Sequence, residues 1–357
     1  MDTKNVIAAI SLSAAVIILY GLFFAPTPDP NQKSKITNEK NKIEQTDTPS
    51  LEVKEEIANI SRSDAINQSE RINFENDNIK GSINLNGATI DDLTFKKYTE
   101  TLNGDDNVVL LNPKEVRNGY YVETGWVTNN KNIELPDSNT KWNIMGNKIL
   151  SPNNPIRLLW SNKNGIKFEK IINLDNNFLF TIQQTISNET NKSYNFYPYG
   201  QIIRNTAPEV TNFYILHEGL IGVFDEQLVE KDYDDIEDKK YSVNASSGWT
   251  GITDKFWTAV IIPETGKEFR SDFEYKNKFK ANFIETKSLE IGANETKNNI
   301  IKLVVAAKEV EIIDSYAETQ NIDKFDLVID WGWFYWLTKP FFFVLHYFFE
   351  KTGNYGI

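Results

Sequence analysis

The chain opens on an unbroken apolar run. Val6 to Phe24 (VIAAISLSAAVIILYGLFF) carries no charge, and its length is close to that needed to cross the hydrocarbon core of a bilayer. Tyr20, Phe23 and Phe24 stand at its far end, as an interfacial aromatic belt does. The run leads into Phe23-Phe24-Ala25-Pro26-Thr27-Pro28 without the small-residue pattern of a signal-peptide cleavage site. An uncleaved transmembrane anchor over residues 1–25 is therefore predicted ahead of a removed leader. Residues 26–72 contain no Phe, Trp or Tyr. So polar a stretch buries too little apolar surface to offset its ordering entropy, which predicts a disordered linker with a short helix over 51–60.

From Phe74 the period changes to two. Ile83 and Leu85 alternate with polar neighbours before Gly87. Ile156-Arg157-Leu158-Leu159-Trp160 meets Asn164-Gly165, a strong hairpin signal. Ile166, Phe168 and Lys170 start the return strand, and Asp175-Asn176-Asn177 turns it again. Phe178, Phe180 and Ile182 alternate with Leu179, Thr181 and Gln183, and IIKLVVA from Ile300 to Ala306 reads as a buried strand. Short strands separated by polar turns predict a mainly β, sandwich-type domain over residues 73–324. No repeat of fixed period is visible. The charged run 226–240 is expected to be a solvated loop.

Composition adds exclusions. Aromatics make up 13% of the 357 residues, with 22 Phe, 15 Tyr and 8 Trp, which suits pleated, half-buried surfaces. A net charge of -12 argues against a nucleic-acid partner, which requires clustered Lys and Arg. The absence of cysteine excludes disulfides, thiolate nucleophiles and zinc–thiolate sites. His217 and His346 are the only histidines. His217-Glu218 is the one adjacent His–acid pair, but neighbours on a strand point to opposite faces, so a structural histidine is expected. Asp91-Asp92 and Asp234-Asp235 lack the spacing of an oxygen-ligand motif and are expected in solvated turns. Tyr194, Phe196, Tyr197 and Tyr199 could line a sugar platform, although packing is the commoner use of such residues. No P-loop, G-x-S-x-G or H-E-x-x-H occurs, and no catalytic residue, cofactor or metal site is predicted.

The C-terminal stretch 325–357 is richer. Trp331, Trp333, Tyr335 and Trp336 cluster as membrane-interface aromatics do. Lys339-Pro340 and FFFVLHYFFEK follow. On a helix, Lys339, His346 and Glu350 share one narrow face, and Phe341, Phe342 and Leu345 belong to the apolar remainder. A spanning helix would bury Lys339 at about 2.5–3.5 kcal/mol for a central Lys, and a core helix so dense in Trp and Phe is unusual. An amphipathic helix lying in the interface fits best, with Pro340 in its first turn and Lys339 reaching head groups. Its expected membrane-interface residues are Trp331, Trp333, Tyr335, Trp336, Lys339, Phe341, Phe342 and Leu345.

Several phrases in order closely resemble the bacterial YidC membrane protein insertase family. They are Gly81-Ser82-Ile83 with GATIDDL (87–93), YILHEGLIGV (214–223), GWTGITDKFW (248–257), FDLVIDWGWFYWLTKP (325–340) and Gly353-Asn354-Tyr355-Gly356. The resemblance implies an inner-membrane protein whose N-terminal helix leads to a periplasmic β-supersandwich, similar in topology to mutarotase-like domains. An interfacial helix then precedes a core of five membrane helices. It implies partners in the lipid bilayer, nascent membrane proteins and Sec translocon components, and no nucleotide hydrolysis. It also supplies an orientation, N-terminus cytoplasmic and β domain periplasmic. Charge does not choose one, because Lys4 faces Lys33, Lys35, Lys40 and Lys42 across the first segment. Against the family layout the chain ends just before the first core helix, so the charged groove residue and the cytoplasmic hairpin find no counterpart here. The expected role is anchor and periplasmic scaffold of an insertase. Alternatives are a membrane-tethered carbohydrate-binding or mutarotase-like sandwich, which would need His217 and a carboxylate from another strand in one open pocket, and a periplasmic chaperone module with an exposed apolar groove.

Overall fold

The computed structural model describes residues 60–102, 104–208, 216–332 and 334–354. The expected anchor at Val6–Phe24, the linker up to residue 59, its helix over 51–60, Trp333 and the end of the GNYG phrase lie outside them. Among the described residues the strands form an eleven-stranded and a nine-stranded sheet. The first runs from Tyr241–Ala245 through Phe269–Tyr275, Phe279–Glu285, Tyr194–Arg204, Tyr120–Val127, Thr89–Thr99 and Ile79–Asn84 to Arg71–Glu75 and Ile149–Leu150, with Leu289–Ile291 paired beside Tyr194–Arg204 and Asn107–Leu111 beside Thr89–Thr99. The second runs from Gln227–Lys231 through Gly219–Phe224, Gly248–Thr253, Trp257–Ile262, Thr296–Ala307, Leu179–Asn188 and Ile166–Leu174 to Ile156–Ser161 and Asn143–Ile144. Among these pairings, only that of Arg71–Glu75 with Ile149–Leu150 is parallel. Among the described residues four α-helices accompany the sheets: α1 (Arg62–Asn67), α2 (Tyr233–Asp238), α3 (Val310–Thr319) and α4 (Tyr335–Thr352).

The period-two segments become strands as read. At the hairpin between Ile156–Ser161 and Ile166–Leu174, Gly165 takes φ +80°, a conformation that costs glycine little. The Asn162 carboxamide oxygen accepts from the Asn164 and Ile166 amides at 2.9 Å each, closing the turn. Phe178, Phe180 and Ile182 are buried, and the strand Thr296–Ala307, which contains IIKLVVA, pairs with Leu179–Asn188 on one side and Trp257–Ile262 on the other. The sheets interlock through edge-on aromatic pairs. Phe74 meets Phe180 at 5.2 Å, Phe95 meets Phe178 at 5.9 Å, and Phe168 meets Phe196 at 6.1 Å between ring centres. Such pairs add roughly 0.5–1.5 kcal/mol each beyond their burial.

Three expectations are corrected. The segment 226–240 holds the strand Gln227–Lys231 and helix α2. Tyr233 and Ile236 are buried and three residues apart, so one face of this charged helix seals the core while Asp234 and Asp235 stay exposed. Asp91 and Asp92 lie inside the strand Thr89–Thr99 and are buried. A bulge opposite Ser82/Ile83 adds a residue to that strand, which breaks the side alternation. Asp91 pairs with Arg71 and Asp92 with Arg62. Burial pushes the Asp91 carboxyl up to about 6 against the pull of Arg71. The same close approach needs Gly81, where a Cβ would lie 1.9 Å from the Asp92 carbonyl oxygen. Residues 60–72, grouped with the linker, carry α1 and the first two residues of the strand Arg71–Glu75, so regular structure begins before residue 73. At its other end, Phe325 and Val328 are buried, Phe325 edge-on to Trp249 at 5.7 Å. The core thus continues past residue 324.

Lys170, buried on the strand Ile166–Leu174, points between the sheets. Its Nζ donates to the Thr124 carbonyl at 2.7 Å and to Thr124 Oγ1 at 3.2 Å, and lies 5.3 Å from the Trp142 ring centre. Burial pushes the ammonium down from 10.5 to about 7, against the pull of Glu123. The folded state then binds fewer protons than the unfolded one across that window, so stability rises as pH climbs from about 7 towards 10.5. Lys170→Met removes this dependence. Urea unfolding at about pH 7 and about pH 9 is expected to show the native protein gaining on the variant by up to about 1 kcal/mol per pH unit. Parallel pH profiles for the two proteins would refute the assignment.

Candidate membrane-facing site

Three of the quoted phrases converge at one end of the sandwich. The His217 amide donates to Asp330 Oδ2 at 3.0 Å, and the Lys255 amide to Glu218 Oε1 at 2.9 Å. Arg204 Nη1 donates to Asp254 Oδ1 at 2.6 Å. Between them lies a cavity of about 460 Å³ lined largely by apolar groups, among them Tyr98, Phe256, Trp257, Val310, Trp331 and Phe342. Phe256, 56% exposed, stands at its rim. Lys308 borders the same cavity, and burial pushes its ammonium down to about 8 although Asp254, Asp330, Glu218 and Glu230 all favour its charge.

Helix α3 is seated on the sandwich by Tyr316. Its hydroxyl accepts from the Phe178 amide at 2.8 Å and donates to Asp175 Oδ2 at 2.6 Å. Tyr98 donates to Glu309 Oε1 at 2.8 Å, holding the start of the same helix. The outer side of α3 then offers Glu311 and Asp314 to α4.

Helix α4 begins five residues before Pro340, which therefore falls in the second turn rather than the first. Proline has no N–H to give the carbonyl four residues back, a loss that bends or strains a helix. Thr338 Oγ1 sits beside it and donates to the Trp331 carbonyl at 2.8 Å. The helix ends at Gly353, whose amide reaches the Phe349 carbonyl at 2.7 Å, with Lys351 in the last turn, where a cation complements the helix dipole.

The two faces of α4 differ. Lys339, Phe342, His346 and Phe349 recur at helical spacing and are half-buried against the domain. Lys339 Nζ lies 3.1 Å from both Asp314 Oδ1 and Asp326 Oδ2. Burial opposes its charge, but the hydrogen bonds it donates to Asp326 and Asp314 outweigh that and hold the ammonium above its usual value. Phe342 packs edge-on to Trp331 at 5.6 Å. The opposite side exposes Leu337, Phe341, Val344, Leu345 and Phe348, with Trp336 at 66% and Phe341 at 58%.

The structure therefore divides the expected interface residues. Trp336, Phe341 and Leu345 point outward. Lys339, expected at head groups, turns inward because two aspartates from α3 and the preceding turn await it, and Phe342 goes with it. Trp331 is half-buried beneath them. Tyr335 opens the helix, and Trp333 lies outside the described residues. Val344 and Phe348 were missed, although their spacing of three and seven from Phe341 marks the same face. Among the described residues no helix is long and apolar enough to cross a membrane.

His217 does not line the cavity. Its Nδ1 lies 3.2 Å from Asp232 and its Nε2 3.2 Å from the Leu220 carbonyl oxygen. Both ring nitrogens hold the start of the strand Gly219–Phe224 in place, as a structural histidine does, and the carbohydrate reading is not favoured. A second set of polar groups, Glu311, His346 and Glu350, gathers where α3 meets α4.

The sequence profile of the YidC periplasmic domain matches residues 71–344. The membrane protein insertase YidC of Pelagibacter ubique (strain HTCC1062) is 56% identical over the whole chain, which covers 64% of that protein. The membrane protein insertase YidC of Rickettsia prowazekii (strain Madrid E) is 37% identical over 99% of the chain, again 64% of its own length. The chain thus spans about 64% of the length of the relatives it matches. Among solved structures, a galactose mutarotase related enzyme from Lactobacillus acidophilus aligns with 67% of this chain and 98% of its own, with 12% identity and a TM-score of 0.47. The match of most of the chain to one domain profile, and of all of it to these relatives, means that the chain belongs to the YidC family and that its β-sandwich is that family's periplasmic domain.

Proposed function

We propose that this chain is the anchoring and periplasmic portion of a membrane protein insertase, and that α4 lies in the bilayer interface with its outward face in the acyl region. The observation that carries this reading is the row of large apolar side chains that α4 exposes while its other face is tied to a folded domain. Each such side chain moved out of water contributes on the order of 1 kcal/mol, enough together to hold a domain at a surface. The relatives' name, membrane protein insertase, supports nascent membrane proteins as clients. In this reading the N-terminal segment anchors the chain from the cytoplasmic side, the sandwich stands in the periplasm and offers surface to Sec translocon components, and α4 sets the height and tilt of the sandwich above the lipid.

Two measurements address this. Replacing Phe341, Leu345 and Phe348 by Ser in a chain lacking residues 1–25 is expected to lower its partition onto phospholipid vesicles at least about tenfold. Unchanged binding would remove α4 from the interface. Lys339→Ala is expected to loosen α4 alone. Amide exchange over 336–352 should quicken roughly tenfold, while exchange in the sheets and the melting of the sandwich stay as they were. Uniform quickening through the sheets would instead make Lys339 a support of the whole domain.

A further inference from the structure

Glu311 on α3 and His346 and Glu350 on α4 bring one imidazole nitrogen and two carboxylate oxygens within 4.8 Å of one another. His346 Nε2 lies 3.1 Å from Glu311 Oε1 and 3.9 Å from Glu350 Oε1. The spacing of four along α4 puts His346 and Glu350 on one helical face, and α3 supplies the third group from across the helix junction. The imidazole does not swing freely. Its plane stacks on Phe342 at 5.6 Å and 9° and on Phe349 at 6.2 Å and 26°, which aims its Nε2 edge at the carboxylates. Those carboxylates are well exposed, Glu311 at 69% and Glu350 at 60%, so an ion reaches them from solvent.

Charge favours a cation there. Glu311 and Glu350 bring two carboxylates to the cluster. The nearby cations are engaged elsewhere, Lys339 with Asp314 and Asp326 and Lys351 over the Tyr347 ring. We propose that Glu311, His346 and Glu350 form a binding site for a divalent transition cation, zinc, which clamps α4 to α3. One nitrogen and two oxygens with an open fourth position is a zinc donor set. Calcium and magnesium prefer more oxygens and no imidazole. Zinc–ligand bonds of about 2.0–2.2 Å put tetrahedral donors about 3.4 Å apart, so the two exposed glutamates need only a small rotamer change to close on the ion. The site is independent of whether α4 meets lipid.

The test is zinc chloride titrated into the metal-stripped full chain in detergent micelles, followed by calorimetry and by amide exchange of α4. One zinc per chain is expected, with slower exchange over residues 339–352 when it binds. Glu311→Gln keeps the size of an exposed side chain, and its own zinc-free exchange serves as the baseline against which zinc is read. It should weaken zinc at least about tenfold and abolish the slowing, although His346 and Glu350 remain. Cobalt in place of zinc should give the visible absorption of a four-coordinate site, lost in His346→Ala. No saturable zinc binding would overturn the proposal. So would equal affinity in Glu311→Gln, which would mean that the ion sits on α4 alone and clamps nothing.

Discussion

The interleaving of aromatic rings between the two sheets is the constraint from which the remaining geometry follows. Phe74 on Phe180, Phe95 on Phe178 and Phe168 on Phe196 fix how far apart the sheets stand and how they slide. Close packing of that kind leaves little freedom to relax. It also explains how the interior holds charge. Lys170 crosses from one sheet to the Thr124 carbonyl of the other, and Asp91 and Asp92 are met by Arg71 and Arg62. Buried ions of this sort add little net stability and penalise loss of a partner. They therefore favour one register of the hairpin 79–99 over its slipped alternatives.

From this interlock the geometry passes outward along a short series of contacts. The turn at Asp175–Asn177 lies at the end of a core strand, and Asn76 and Asn78 brace it with side-chain amides. Tyr316 clasps that turn and seats α3. Asp314, together with Asp326 from the turn anchored by Phe325, receives Lys339. Each link is a hydrogen bond or ion pair at least partly shielded from water, where such bonds are stronger than at the open surface. The outward face of α4 is positioned by the sandwich through them, although none of its own side chains need touch the core.

How much of this could be read from the chain depends on how local the determining contacts are. The strands from Ile156 to Asn188 were legible because period two, an Asn-Gly turn and an Asp-Asn-Asn turn lie within a few residues of the features they specify. The place of Asp91 and Asp92 was not, because it depends on a bulge and on arginines about 20 to 30 residues away. Helix α2 escaped notice because two apolar residues, Tyr233 and Ile236, are too few to show a period among so many charges. At the site, the helical face shared by Lys339, His346 and Glu350 was visible from spacing alone. Which way that face points was not, since its acceptors Glu311, Asp314 and Asp326 come from other elements. The family phrases pointed to the periplasmic domain, and the structure supplied the contacts, Asp330 with His217 and Glu218 with Lys255, that bring them to one place.

The opposed faces of α4 have a consequence for how this sequence can change. Each residue of an α-helix advances by about 100°, and the inward stripe of Lys339, Phe342, His346 and Phe349 is phased against the outward stripe of Phe341, Val344, Leu345 and Phe348. A single inserted or deleted residue between Lys339 and His346 would carry the later half of both stripes around by that angle, turning histidine towards the outside and phenylalanines towards glutamate. Substitution within either stripe is a local matter of size and polarity. A change of length is a change of phase, so this short helix tolerates different residues far better than a different number of them.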